Sequence, residues 1–264
     1  MEVILIGTGN LGSHLCRAIE AINGGDYSAF AKAESKQPSS QIFLKGYYNH
    51  TAYDLDGIKA PRITDLYSIP KCDLIIIATP DDHIASISDT LKTDAVVVHT
   101  SGSVPLEALS AHKNHGVLYF PQSFSKARPV DFSTIPVCVE YATDVAQKCI
   151  EVMASSLSRK RYHLNSKQRK QLHIAAVFTN NFVNHCYTIA QQLLDEQDLD
   201  AALLEPLMKE TLQKAIDLSP YDAQTGPARR GDQETINTHL QLLDAAQKEV
   251  YQSITQSILN TYGN

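Results

Sequence analysis

The chain has 264 residues, 43% of them hydrophobic, which is enough to bury one large core or two moderate ones, and the usual size of domains favours two. A formal net charge of −6 excludes the basic surplus that a nucleic-acid partner normally requires. Five cysteines, Cys16, Cys72, Cys138, Cys149 and Cys186, form no C-x-x-C pair and no Cys/His cluster at zinc spacing, so they read as reduced core thiols with neither a disulfide framework nor a metal site.

Strand signal begins at Glu2 or Val3, leaving no room for a signal sequence, and no apolar run approaches the roughly 18 residues of a membrane span. A soluble, cytoplasmic protein with no membrane partner is expected. The first run, VILI (3–6), is short and rich in β-branched residues, and an amphipathic segment from about Asn10 to Ile22 follows it directly. The joint between them, GTGNLG, has the spacing of a dinucleotide fingerprint. Gly7 permits a tight turn, Gly9 lets backbone N–H groups approach a pyrophosphate, and Gly12 lets the helix pack on the strand. Gly7, Thr8, Gly9, Asn10, Leu11 and Gly12 are the expected pyrophosphate contacts, facing a helix N-terminus that favours anions. Similar glycines also serve S-adenosylmethionine folds, or a packing turn that has lost its ligand.

The stretch 24–40 is loop-like, and a second strand, QIFLKGYYN (41–49), follows it. An Asp or Glu at the end of this strand would select NAD through the ribose 2′-OH; here Asn49, His50 and Thr51 stand instead, which favours NADP over NAD. The same three residues also read as ordinary loop.

Further strands are DLIIIATP (73–80), AVVVHTSG (95–102), GVLYFPQ (116–122) and PVCVEYA (136–142), with helical patterns at 82–91 and 143–156. The nearly continuous apolar runs DLIIIA and AVVVH suit strands covered on both faces, so residues 1–155 are predicted to form a doubly wound α/β domain. Thr79, Pro80 and Asp81 follow one strand end and are predicted to wall the cofactor, unless the carboxylate caps the helix beginning at about Asp82. Thr100 and Ser101 follow the next, where open sheets bind ligands. Thr100 is a candidate cofactor contact, and Ser101, with the N–H groups around Gly102, a candidate catalytic residue against the nicotinamide or a substrate carboxylate, with a serine cap on the following turn as the competing reading.

After about Asn165 the strand signals stop. Residues 166–196 form one long helical pattern without Gly or Pro, opened by Ser166 and spanning roughly 45 Å at about 1.5 Å per residue. Helical patterns at 200–218, 232–244 and 246–261 complete an all-α region over 156–264. On the long helix, Lys170, His173, Val177, Asn180 and Asn184 are spaced to share a face. His173 is the candidate general acid and Asn180 a candidate for orienting the substrate, with Asn184 beside them; a structural histidine and a solvated lysine are the plainer alternatives. In QTGPARRGD (224–232), Thr225 and Arg229 are candidate substrate contacts, and an acidic small molecule would suit the arginine; pairing of Arg229 with the cap residue Asp232 is the structural alternative.

The glycine loop, TPDDHI (79–84), HTSGS (99–103), YFPQSFS (119–125), LHIAAVFTNNFVNH (172–185) and QTGPARRGD followed by His239-Leu240 together give a chain that resembles one family. It is similar to the Rossmann-like proteins carrying the domain of unknown function 2520, provisionally catalogued as NADP oxidoreductases. These in turn are similar to pyrroline-5-carboxylate reductase, the deazaflavin-dependent NADP reductases and the 6-phosphogluconate dehydrogenase superfamily. The resemblance implies a nucleotide domain, a helical domain that forms a homodimer, and a cleft between them. It departs from the family where relatives carry a short loop before the second strand and an Arg after it: here the loop is long and His50 stands at the Arg position.

The expectation is an NADP-dependent oxidoreductase that moves a hydride between nicotinamide and a carbonyl or imine carbon of a small, anionic metabolite. A non-catalytic nucleotide- or metabolite-binding dimer on the same scaffold is the alternative, and an S-adenosylmethionine enzyme a third.

Overall fold

In the computed structural model the described residues are 1–22, 41–51 and 53–263; the loop-like stretch 24–40 lies outside them. The first apolar run becomes β1 (Glu2–Ile6), and the glycine turn delivers the chain into α1 (Asn10–Ile22). β2 (Phe43–Tyr48) and the two-residue β3 (Arg62–Ile63) add to one side of β1. The chain then crosses to the other side, where β4 (Leu74–Ile77), β5 (Val96–His99) and β6 (His115–Tyr119) follow in turn. With β7 (Val137–Tyr141) and β8 (Arg161–His163) the order in the eight-stranded sheet is β3-β2-β1-β4-β5-β6-β7-β8. All neighbours pair in parallel except β6 and β7, where Leu118 faces Val139 across an antiparallel ladder.

This is the doubly wound architecture expected. The reversal of direction on either side of β1 opens a crevice at the carboxyl ends of β1 and β4, the place where such sheets hold ligands. Alternation along β1 assigns each residue to a face. Val3 and Leu5 pack with Leu15 and Ile19 of α1 and with Ile150 and Met153 of α3 (Asp144–Leu157). Ile4 and Ile6 pack on the opposite face with Ile84 of α2 (Asp81–Thr90). Every residue of β4 and β5 is buried, as their unbroken apolar runs imply.

Two strands carry no signal in the sequence. β3 is two residues long and β8 is an edge strand whose three residues are all exposed, so neither needs apolar alternation. The predicted long helix also differs. Its cap is Asn165, which forms a reciprocal capping box with Gln168, whereas Ser166 turns inward to Glu140. It is built from α4 (Ser166–Ala176), a π-helical turn (Val177–Phe182) and α5 (Val183–Asp195). The wider π turn ends the register that puts Asn180 and Asn184 on one face with His173.

The described residues form two compact units, Met1–Asn181 and Phe182–Asn264. The first takes in β8 and α4 and so runs past residue 155, where the strand pattern places the domain boundary. The second is wholly helical: α5, α6 (Glu205–Leu218), the single turns α7 (Pro220–Ala223) and α8 (Pro227–Arg230), α9 (Gln233–Leu242) and α10 (Ala245–Tyr262). Among the described residues no helix is long and apolar enough to cross a membrane.

Candidate active site

At the end of β1 the backbone must turn sharply beneath the neighbouring strand. Gly7 does so at φ +94°, and a Cβ there would lie 2.7 Å from the carbonyl oxygen of Ala78, at the end of β4. Its N–H donates to the carbonyl of Tyr48 at 2.9 Å, so the fingerprint loop is tied to β2 and pressed on β4. A Cβ on Gly12 would stand 1.9 Å from the carbonyl oxygen of Gly7, which is how α1 starts so close to the strand. Gly9 has open space above it. Thr8 is buried, whereas Asn10 is exposed and Leu11 half-buried, at the start of α1.

The end of β2 lies beside this loop. Asn49 accepts from the Thr51 hydroxyl at 3.1 Å, and its buried Nδ2 has no partner. His50 is exposed. Tyr53, not singled out by the sequence, donates to the carbonyl of Thr8 at 3.2 Å and accepts from Lys126 at 3.0 Å; that hydrogen bond, before all else, holds its phenol below the ordinary tyrosine range.

After β4, Thr79 presents a buried hydroxyl with no partner, and Pro80 leads into α2. Asp81 lies in the first turn of that helix and accepts from the Ser103 hydroxyl, joining the loops that follow β4 and β5. On the β5 side, Thr100 donates its N–H to Ile77 at 3.2 Å. Ser101 is buried, and its hydroxyl accepts from the N–H groups of Ser103 and Val104, both at 3.0 Å, so the cap reading describes its contacts. Two unpartnered polar groups, on Asn49 and Thr79, and the open space over Gly9 flank one loop at one edge. That arrangement suits a phosphate-bearing dinucleotide, whose oxygens would occupy donors that protein groups leave unused.

α4 brings the histidine to the same edge. It is fastened low on the sheet by Arg169, whose guanidinium is buried against the Glu140 carboxylate and the carbonyl of Val104. One turn later, His173 lies against Gly102, where a Cβ would meet its Nδ1 at 2.7 Å. That nitrogen is 3.3 Å from the hydroxyl of Tyr119, at the carboxyl end of β6, and the rings meet edge to face. Burial pushes the Tyr119 phenol up to about 12, so it stays neutral, able to donate to imidazole or accept from imidazolium. Occupying Nδ1, it leaves Nε2 to serve a ligand. Tyr119 was legible only as part of a strand end; nothing in its spacing marks it as the partner of a residue 54 positions away.

The remaining candidates are not gathered this way. Asn180 is exposed on the π turn. Asn184, Thr225 and Arg229 belong to the helical unit and are exposed there. Arg229 lies 4.8 Å over the ring of Tyr262 and donates to that residue's carbonyl at 3.4 Å. Asp232 caps α9 as expected, but the arginine within 4.0 Å of it is Arg230.

Fold and site together define a Rossmann-type nucleotide domain with a helical continuation. The model of the domain of unknown function DUF2520 matches residues 135–258. A solved structure from Bacteroides fragilis, provisionally named an NADP oxidoreductase, is 33% identical, with 98% of each chain covered and a TM-score of 0.84. The chain therefore belongs to the DUF2520 family. More distant likeness, which shows the fold alone, extends to an Aspergillus terreus reductive aminase solved with NADPH and ethyl levulinate (14% identity, 98% and 93% covered, TM-score 0.62). It extends also to a Plasmodium falciparum pyrroline carboxylate reductase with NADP bound (12% identity, 98% of each chain covered, TM-score 0.55). No curated protein matches the chain in sequence.

Proposed function

We propose that the protein is an NADP-dependent oxidoreductase acting on a carbonyl or imine carbon of a small, anionic metabolite. The observation that carries this reading is His173, held over Gly102 by Tyr119, at the same sheet edge as the fingerprint loop and its two unpartnered polar groups. The Bacteroides fragilis relative supports it by name. In this reading Gly7, Thr8, Gly9, Asn10, Leu11 and Gly12 hold the pyrophosphate, Asn49, His50 and Thr51 border the adenosine ribose, and Thr79, Pro80, Asp81 and Thr100 wall the ring.

The nicotinamide, when bound, supplies or accepts the hydride. The chain's part is to position and to handle the proton: in reduction, the imidazolium of His173 gives its Nε2 proton to the substrate oxygen or nitrogen while Tyr119 keeps the ring in place. Ser101 shapes the loop under the ring, and Asn180, Asn184, Thr225 and Arg229 are the proposed substrate contacts.

The helical region makes the protein a homodimer. None of the residues of α5 or α6 is buried within one chain, and α6 exposes Leu207, Leu212, Ile216 and Leu218, an area too apolar to leave in water.

Calorimetric titration with NADPH and NADH, followed by NADPH oxidation against aldehydes, keto acids and imines, tests the function. Micromolar NADPH binding is expected, with turnover that His173→Ala abolishes while the variant still folds and binds cofactor. Binding without turnover across the panel would favour a nucleotide-binding dimer, and no binding would sink the reading.

A further inference from the structure

The proposed cofactor carries a 2′-phosphate, and β2 ends without a cation to meet it. Residues 49–54 are Asn, His, Thr, Ala, Tyr and Asp, with no Lys or Arg among them, and the Asp54 carboxylate pairs with Arg62 at 3.1 Å. Sequence order alone therefore brings no Lys or Arg to the phosphate position.

Topology brings a cation from elsewhere. Because β7 runs back against β6, the connection over 120–136 stays at the carboxyl edge of the sheet and passes over α1. Its course is fixed at two points. His14, buried in α1, bonds the carbonyl of Ser125 through Nε2 at 3.0 Å, and Phe124 stacks on Phe132 with ring centroids 5.9 Å apart. The residue after that anchor, Lys126, reaches Tyr53: its ammonium is 3.0 Å from the hydroxyl and 5.2 Å from the ring centroid. Tyr53 in turn bonds the carbonyl of Thr8. The ammonium is thus one side chain away from the fingerprint loop. Among the described residues no carboxylate lies within 4.0 Å of Lys126.

We infer that Lys126 is the specificity-determining cation of the cofactor site, binding the 2′-phosphate of NADP across from Asn49 and His50. The inference rests on the proposed cofactor reading. A surface cation on an aromatic ring is a weak contact by itself and asks for no anchored loop; an ammonium set one residue from a buried histidine latch, at the ribose end of a dinucleotide loop, is placed for a phosphate.

The test is the affinity of the whole protein for NADPH, NADH and 2′,5′-ADP, in the wild type and in Lys126→Met and Lys126→Arg. Lys126 is exposed, so both variants are expected to melt with the wild type. NADPH and 2′,5′-ADP should weaken about 10- to 100-fold in Lys126→Met, NADH should stay within about twofold, and Lys126→Arg should keep most of the NADPH preference. A wild type that prefers NADPH and a Lys126→Met that retains the preference would overturn the assignment and leave the cofactor reading standing. A wild type that binds neither nucleotide overturns the cofactor reading, and the assignment with it.

Discussion

His99 closes β5 with no exposed surface, and its Nδ1 accepts the N–H of Ser101 at 3.2 Å, so the neutral ring is part of the loop beneath His173. Burial, with the guanidinium of Arg169 adding to it, pushes its pKa down to about 4. A depressed histidine contributes stability that is fully present above the unfolded value near 6.5 and is lost as pH falls towards about 4. Urea unfolding at pH 7 and pH 4.5 should show a loss of up to about 3 kcal/mol that His99→Phe does not share; equal losses in both proteins would contradict it. Tyr119→Phe makes a second residue-scale prediction: NADPH affinity unchanged, kcat lower by about tenfold, and the pH–rate profile displaced because Nδ1 has lost its partner. An unchanged profile would mean that Tyr119 only packs. His173 was legible in the sequence because it falls at helical spacing with Lys170, Asn180 and Asn184, a polar set on a long helix. Its partners, Tyr119 and Gly102, were not, since each is an ordinary residue until the fold brings it there.

At the level of elements, α4 is pinned to the sheet by one buried ion pair. Removing one partner of such a pair leaves a charge without compensation, so Arg169→Met should cost about 3–5 kcal/mol in urea unfolding. Pairing it with Glu140→Gln should restore part of that loss, whereas strictly additive losses would show that the two side chains act independently. Long, regular elements were readable: β1, β2, β4, β5, β6 and β7 all follow apolar runs, and α1 and α3 follow amphipathic ones. The π turn was not, because VFTNNF keeps the composition of a helix, and one extra residue per turn leaves no mark in polarity. That single irregularity separates Asn180 from the face on which spacing placed it.

For the whole molecule, the doubly wound architecture was legible because unbroken apolar strands alternating with helices admit few topologies. The direction of β7 was not, since a short buried strand reads alike in both directions. Light scattering at micromolar concentration should give about twice the mass of one chain; a monomer would leave the apolar surface of α6 without a purpose. The antiparallel turn from β6 to β7 also bears on how the protein can change. Both ends of the 120–136 connection are held at one edge, so its exposed stretch 126–129, between the Ser125 and Phe132 anchors, can accept substitutions without rethreading the sheet. The fingerprint loop has no such latitude, because Gly7 and Gly12 leave no room for a side chain. Under the proposed reading, nucleotide preference is therefore adjustable at Lys126, whereas the loop proposed to hold the pyrophosphate stays where the backbone is wedged.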